Sequence, residues 1–106
     1  EAIHYYKLAA DAGHSDSCFI YATLLYNGKE IEMNKQNAAF YYKKAADKGN
    51  LNAIMNYATM LYNGDGIPRD KVNALKYYEL ASQKKDPEAI QKVSKMRGID
   101  NIIPSK

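Results

Sequence analysis

The sequence repeats with a period of 36 residues, and this regularity limits the possible folds more than any other feature. An adjacent tyrosine pair marks each unit, at residues 5–6, 41–42 and 77–78. Aligning residues 1–36 with residues 37–72 needs no gap and gives 17 identical positions. Units of this length are too small to bury an apolar face alone, so consecutive units must stack and share a core.

Each unit contains two stretches with helical periodicity. In the first stretch, apolar side chains recur on one helix face: Ala53, Ile54, Tyr57, Ala58 and Leu61. In the second, one apolar stripe is formed by Ala38, Tyr41, Tyr42 and Ala45. The alternation typical of strands does not occur in the sequence. The pattern therefore predicts an all-α fold, a curved α-solenoid of stacked antiparallel helix pairs.

Residues suited to helix ends lie between these stretches. Asn50, Asp70 and Asp86 occupy expected N-cap positions, and Pro87 follows at a first helical position. Residues 63–68, with the sequence NGDGIP, are typical of a turn because glycine adopts positive φ and proline cannot continue a helix.

The period divides the chain into one solenoid segment with four parts. We expect residues 1–13 to form the second helix of a partial repeat, residues 14–49 and 50–85 to form repeats, and residues 86–106 to form a degenerate partial repeat. Gly98 replaces a tyrosine of the pattern, so the last helix is expected to end early. Three isoleucines that follow are expected to fold back as a hydrophobic cap: Ile99, Ile102 and Ile103.

The tyrosine pairs next to lysines invite comparison with a nucleic-acid surface, in which exposed rings stack on bases along a basic groove. Tyr41 and Tyr42, however, lie on the only apolar stripe of their helix. We therefore predict that both rings are buried between neighbouring helices, with hydroxyls reaching partners at the edge. Lys43 and Lys44 are expected to point away from that stripe into solvent.

The combination of turn and aromatic pair resembles a known family. Residues 50–68, followed by Ala74, Tyr77-Tyr78 and Ala81, closely resemble the Sel1-like repeat, which is related to the tetratricopeptide repeat. The resemblance covers nearly the whole chain, although Tyr57-Ala58 stands where leucine-glycine is usual. It implies a right-handed, TPR-like α-solenoid that acts as an adaptor or scaffold in protein complexes, with its first helices lining a concave surface.

Polar side chains lie on the first helices opposite the core stripe. By spacing and by the resemblance, the predicted concave, partner-binding face consists of Asp16, Ile20, Thr23, Asn27, Asn52, Asn56, Thr59, Asn63, Glu88, Gln91, Lys92 and Lys95. Amides and hydroxyls can hydrogen-bond a peptide backbone without requiring one charge. The alternative is that these are solvated positions without a ligand. The leading hypothesis is a non-catalytic scaffold that presents this face to a peptide or partner protein.

Catalytic, cofactor and metal sites find little support in the sequence. Residues 14–17, with the sequence HSDS, contain the letters of a hydrolase triad, but adjacent helical residues do not face one another. His4 and His14 lie in different helices, and Cys18 aligns with core positions. Cysteine-rich members of the family are described as binding or hydrolysing β-lactams, which keeps a small-molecule hydrolase as an alternative. Those relatives carry a disulfide in every repeat, whereas this chain has one cysteine.

Charge and the chain ends suggest further partners. The net charge of +3 combines −3 over residues 1–34 with +6 over the remainder, which offers a weaker alternative of nucleic-acid binding. The basic side chains concerned are Lys84, Lys85, Lys92, Lys95 and Arg97. Self-association through open solenoid ends is a separate expectation.

No apolar run reaches the length of a membrane span, and residues 1–6 do not resemble a signal peptide. The lack of a signal in residues 1–6 and the single cysteine favour the cytoplasm. A signal on a longer parent chain is the alternative, so the sequence leaves the compartment open.

Overall fold

Six α-helices follow one another in the computed structural model, which describes residues 2–102 and the side chains of residues 2–97. They are α1 (Ala2–Asp11), α2 (Ser15–Asn27), α3 (Lys35–Asp47), α4 (Leu51–Asn63), α5 (Lys71–Gln83) and α6 (Pro87–Ile102). Within residues 2–102 every regular element is a helix. The predicted all-α solenoid is therefore confirmed.

Each helix packs mainly against its neighbours in the chain, from α1 on α2 to α5 on α6. The resulting body is elongated, with extents of 57 × 24 × 18 Å. Alanines with no exposed surface, such as Ala38, Ala45, Ala74 and Ala81, occupy the positions where neighbouring helices approach. A methyl group at these points allows the helix axes to come close while larger side chains fill the remaining space.

The helix ends use the residues that the sequence indicates. The side chains of Asn50, Asp70 and Asp86 each accept a hydrogen bond from the backbone N–H three residues later, at 2.9–3.1 Å. Asn34, 36 residues before Asp70, caps α3 in the same way at 3.0 Å. His14 occupies the N-cap position of α2, and its side chain makes no capping bond.

The last helix is longer than predicted. α6 continues through Gly98 and ends at Ile102, so the prediction of an early end is wrong. A glycine inside a helix costs only about 1 kcal/mol relative to alanine, which a continuous backbone hydrogen-bond ladder can offset. The predicted cap of Ile99, Ile102 and Ile103 lies outside the side chains that the structure describes.

The tyrosine pairs of the second and third units belong largely to the core. Tyr41 and Tyr42 are 8% and 3% exposed, which confirms their predicted burial. The Tyr41 ring meets Tyr21 edge to face, with ring centroids 5.0 Å apart. Its hydroxyl donates a hydrogen bond to Asp11 at 2.6 Å, and burial together with this bond raises the pKa of Tyr41. Buried rings of this kind cannot stack on bases.

The two lysines after Tyr42 differ in their surroundings. Lys43 is exposed and pairs with Asp47 at 3.0 Å, as a solvated side chain would. Lys44 is half-buried, and its ammonium lies 5.4 Å from the ring centre of Phe40 and 5.8 Å from that of Tyr41. The expectation that both lysines point away into solvent is therefore wrong for Lys44, whose cation is attracted to the ring faces.

We expect Tyr41→Ala to lower the free energy of unfolding by about 3 to 5 kcal/mol, because it leaves a cavity beside Tyr21. Tyr5 is a matched control, since it holds the same position one unit earlier but is 64% exposed. Tyr5→Ala should change stability by less than about 0.5 kcal/mol. Urea unfolding followed by far-ultraviolet circular dichroism measures both variants, and equal midpoints for the two would contradict the assigned core.

Candidate functional site

A cavity of about 360 Å³ lies between α2 and α4, and we call it the α2–α4 groove. Five residues of the predicted face line it: Thr23, Asn27, Asn56, Thr59 and Asn63. The remaining lining residues, which the sequence did not indicate, are Phe19, Tyr26, Tyr42, Met60 and Asp65. The groove thus combines an apolar floor with amide and hydroxyl groups.

The repeat explains why these polar side chains meet. Asn56, Thr59 and Asn63 follow the i, i+3, i+7 spacing that places side chains on one face of a helix. Thr23 and Asn27 hold the corresponding positions 36 residues earlier in α2. Because consecutive units pack in the same orientation, the two polar rows lie side by side.

The two threonines form part of the support beneath the groove. Thr23 donates a hydrogen bond to the carbonyl of Phe19 at 2.9 Å, and its oxygen lies 2.9 Å from the Tyr42 hydroxyl. Since the threonine proton is already used, the tyrosine is the donor in the second bond. Thr59 repeats the arrangement with Tyr78 at 2.8 Å. Replacing Thr59 would leave a buried tyrosine hydroxyl without its partner, which costs about 1 to 3 kcal/mol.

The asparagines are the groups best placed to meet a ligand. Asn27 and Asn63 are exposed, and among the described residues neither side chain hydrogen-bonds another protein group. Asn56 is half-buried beside Tyr42. Burial raises the pKa of Tyr42, whereas the Thr23 hydroxyl and the Asn56 amide oppose that rise. An amide offers both donors and an acceptor, so these three side chains can bond either edge of a peptide group.

Asp65 closes one side of the groove through contacts that join two units. Its carboxylate accepts a hydrogen bond from the Tyr26 hydroxyl at 2.5 Å and another from the Lys35 ammonium at 3.0 Å. The same ammonium lies 4.8 Å from the centre of the Tyr26 ring. The bond from Tyr26, followed by that from Lys35, holds the pKa of Asp65 below its usual range. The bond to Asp65 raises the pKa of Tyr26.

The other residues of the predicted face lie outside this cavity. Asp16 accepts a hydrogen bond from the Asn50 side chain at 3.4 Å, Ile20 is half-buried, and Asn52 is exposed. On α6, Glu88 and Gln91 are exposed, Lys92 is half-buried, and Lys95 lines a second cavity. The structure therefore brings together five of the twelve predicted residues, and the binding role of all twelve stays a prediction.

Residues considered for catalysis are placed elsewhere. Cys18 has no exposed surface, its thiol donates to the carbonyl of Ala10 at 3.3 Å, and burial raises its pKa. It is a small core residue, as predicted. Among the described side chains, no three of histidine, cysteine, aspartate and glutamate cluster as metal ligands would. None of the helices in that part of the chain is long and apolar enough to cross a membrane.

A protein-family model for the Sel1 repeat matches three consecutive stretches, residues 1–14, 15–50 and 51–86. The chain belongs to the Sel1 repeat family. Proteins of this family are generally scaffolds for protein interactions. No curated protein matches the sequence significantly.

Solved structures with the same fold include three bacterial proteins. Helicobacter pylori cysteine rich protein B has a TM-score of 0.79 and 22% identity over 84% of this chain and 67% of its own. The protective antigen c5321 of uropathogenic Escherichia coli has a TM-score of 0.82 and 24% identity over 89% of this chain. A Sel1 repeat protein from Oxalobacter formigenes has a TM-score of 0.79 and 24% identity over 92% of this chain. The chain spans 20% of the antigen and 40% of the Oxalobacter protein.

Asp65 should make the stability of the fold depend on pH. Because its pKa is lowered in the folded chain, its contribution is present above the unfolded pKa, about 4, and is lost as pH falls through the folded pKa. Asp65→Asn should lower the free energy of unfolding by about 1 kcal/mol at neutral pH, a value that allows for screening of partly exposed groups. The difference from the wild type should shrink below about pH 4.

Urea unfolding of both proteins between neutral pH and pH 3 measures this difference. Tyr26→Phe is the control, since it removes one hydrogen bond but keeps the pairing with Lys35. Its effect should be smaller and should retain some pH dependence. A gap between wild type and Asp65→Asn that is constant over the whole range would show that the carboxylate is not stabilised by these contacts.

Proposed function

We propose that this Sel1 repeat segment is a non-catalytic interaction module that binds an extended segment of a partner protein in the α2–α4 groove. The observation that supports this proposal is the pairing of an apolar floor with exposed amides in one cavity. A surface that contacts only solvent would have no reason to place apolar side chains and amides together in one cavity.

The chemistry of the lining suits a peptide. An extended backbone presents N–H and C=O groups alternately, and the amides of Asn27, Asn56 and Asn63 can bond both kinds of group. Phe19 and Met60 offer apolar surface to one side chain of the ligand, and methionine adapts to different shapes. The ligand would therefore be selected by one apolar side chain and held by its main chain.

The charge of the groove fits a neutral ligand segment. Among the described residues that line it, Asp65 is the one with a charge, and Lys35 pairs with that carboxylate at 3.0 Å. The predicted residues outside the cavity would extend the surface on both sides, with Asp16, Ile20 and Asn52 towards the helix starts and four α6 residues towards the last unit. Those four are Glu88, Gln91, Lys92 and Lys95.

The hydrolase alternative receives no support from the described residues. A thiol nucleophile needs a lowered pKa and access to substrate, whereas Cys18 is buried with a raised pKa. His14 lies at the start of α2, and the adjacent Ser15 and Asp16 follow it along the helix rather than facing it.

The groove can be tested without knowing the natural partner. A library of random 12-residue peptides displayed on phage would be panned on the immobilised protein, and an enriched peptide would be synthesised and titrated by calorimetry. We expect the triple variant Asn27→Ala, Asn56→Ala and Asn63→Ala to bind at least about tenfold more weakly, because each lost amide removes about 0.5 to 1.5 kcal/mol of hydrogen bonding. Its unfolding midpoint should stay close to that of the wild type.

The matched control removes three amides from the second helices, with Gln36→Ala, Asn37→Ala and Gln83→Ala. These side chains are exposed and lie outside the groove. The control should bind the peptide as the wild type does. Equal affinity of the groove variant and the wild type would refute the proposed site.

A further inference from the structure

A second cavity of about 360 Å³ lies one unit further along the solenoid, between α4, α5 and α6. Its lining consists of Tyr62, Lys71, Val72, Leu75, Lys95 and Met96. Three of these residues, Tyr62, Lys95 and Met96, stand 36 positions after residues that line the α2–α4 groove. Through these three residues the cavity continues the surface of the groove on α4 and α6, whereas Val72 and Leu75 align with Gln36 and Ala39, which line a different cavity. We call the groove the first step of this surface and the second cavity its second step.

In the first step, the tyrosine and lysine that recur in the next unit hold a carboxylate. There the Tyr26 hydroxyl and the Lys35 ammonium both donate to one carboxylate, that of Asp65. In the second step, Tyr62 and Lys71 replace Tyr26 and Lys35 at the same positions of the repeat. The geometry is also repeated, since the Lys71 ammonium lies 5.3 Å from the Tyr62 ring centre and the Lys35 ammonium 4.8 Å from that of Tyr26.

The two steps differ in charge. The residue 36 positions after Asp65 is Asn101, which carries no charge, and Thr59 is replaced by Lys95. Within residues 2–97, whose side chains the structure describes, the lining of the second cavity contains two ammonium groups and no carboxylate. Among the described side chains, neither Lys71 nor Lys95 forms an ion pair within 4.0 Å.

We propose that Tyr62, Lys71 and Lys95 bind the carboxylate of an aspartate or glutamate side chain in the partner segment. This inference rests on the proposed function, since the same segment would continue from the α2–α4 groove to the second cavity. Lys71 and Tyr62 donate hydrogen bonds to the carboxylate as their counterparts do to Asp65, and Lys95 adds a second positive charge. The bound segment is neutral at α2–α4 and acidic beside α6.

A carboxylate fits this site better than the phosphate of a nucleic acid. The chain itself supplies the comparison, because a tyrosine and a lysine at the same repeat positions already hold a carboxylate. A nucleic acid would also require exposed rings on which bases stack. Tyr62 is half-buried, and its ring face is occupied by the Lys71 ammonium.

The test uses two fluorescein-labelled peptides of 12 residues, one alternating glutamate with alanine and the other glutamine with alanine. Fluorescence anisotropy at low salt should detect binding of the glutamate peptide and much weaker binding of the glutamine peptide. Lys71→Met and Lys95→Met should each weaken binding about threefold, and the double variant about tenfold, as expected for partly exposed charges. Lys76→Met, which removes an exposed lysine of α5 outside this cavity, should have no effect.

Asp65→Ala provides a gain of function. It removes the carboxylate and leaves its place beside the Tyr26 hydroxyl and the Lys35 ammonium open, so the first step should then accept an acidic side chain as the second does. The variant should bind the glutamate peptide more tightly than the wild type. The gain should persist in the Lys71→Met and Lys95→Met background and disappear on adding Lys35→Met.

Several results would overturn the inference. Equal binding of the two peptides, unchanged binding by the double lysine variant, or no gain with Asp65→Ala would each exclude the carboxylate site. Tighter binding of a single-stranded oligonucleotide than of the glutamate peptide, lost in the double lysine variant, would assign the lysines to nucleic acid instead. If the panned peptide still requires the three asparagines while these tests fail, the proposed function stands and only the carboxylate site falls.

Discussion

The buried tyrosine with a bonded hydroxyl is the contact on which the rest of the solenoid depends. A tyrosine ring supplies apolar area to the core between two helices, but its hydroxyl must find a partner. Tyr41 finds it in Asp11 and Tyr77 finds it in Asp47, the acidic residue of the same motif one unit later. Each unit therefore holds its predecessor by one aromatic ring and one carboxylate, and repetition of these two elements fixes the spacing of all units.

Adjacent tyrosines perform different tasks because neighbouring helical residues point about 100° apart. In the second and third pairs, the first tyrosine bonds an aspartate of the preceding unit. The second tyrosine reaches a threonine beneath the groove, as Tyr42 does with Thr23 at 2.9 Å. One pair thus contacts both the preceding unit, through Tyr41, and the residues beneath the groove, through Tyr42. The threonines complete a core contact, which leaves the neighbouring asparagines available to a ligand.

Much of this arrangement follows from the sequence, because it depends on local patterns. Periodicity predicts the helices and the buried tyrosines, and side-chain chemistry predicts caps such as Asn50 and Asp70. The contact of Asp65 with Tyr26 could not be predicted, since Asp65 aligns with Lys29 and the alignment gives no sign of a bridge between units. The continuation of α6 past Gly98 was also missed, because a single residue propensity is weaker than the continuity of a hydrogen-bonded helix.

The neighbour-to-neighbour packing of the helices has a mechanical consequence. α2 and α4 both pack against α3, so the width of the groove between them depends on the angles at which they pack on that helix. Its width follows the curvature of the whole chain of units, and a small change of angle at each step would add up along a body 57 Å long. A segment bound across two units would act as a brace, and its length would set the curvature that the solenoid adopts.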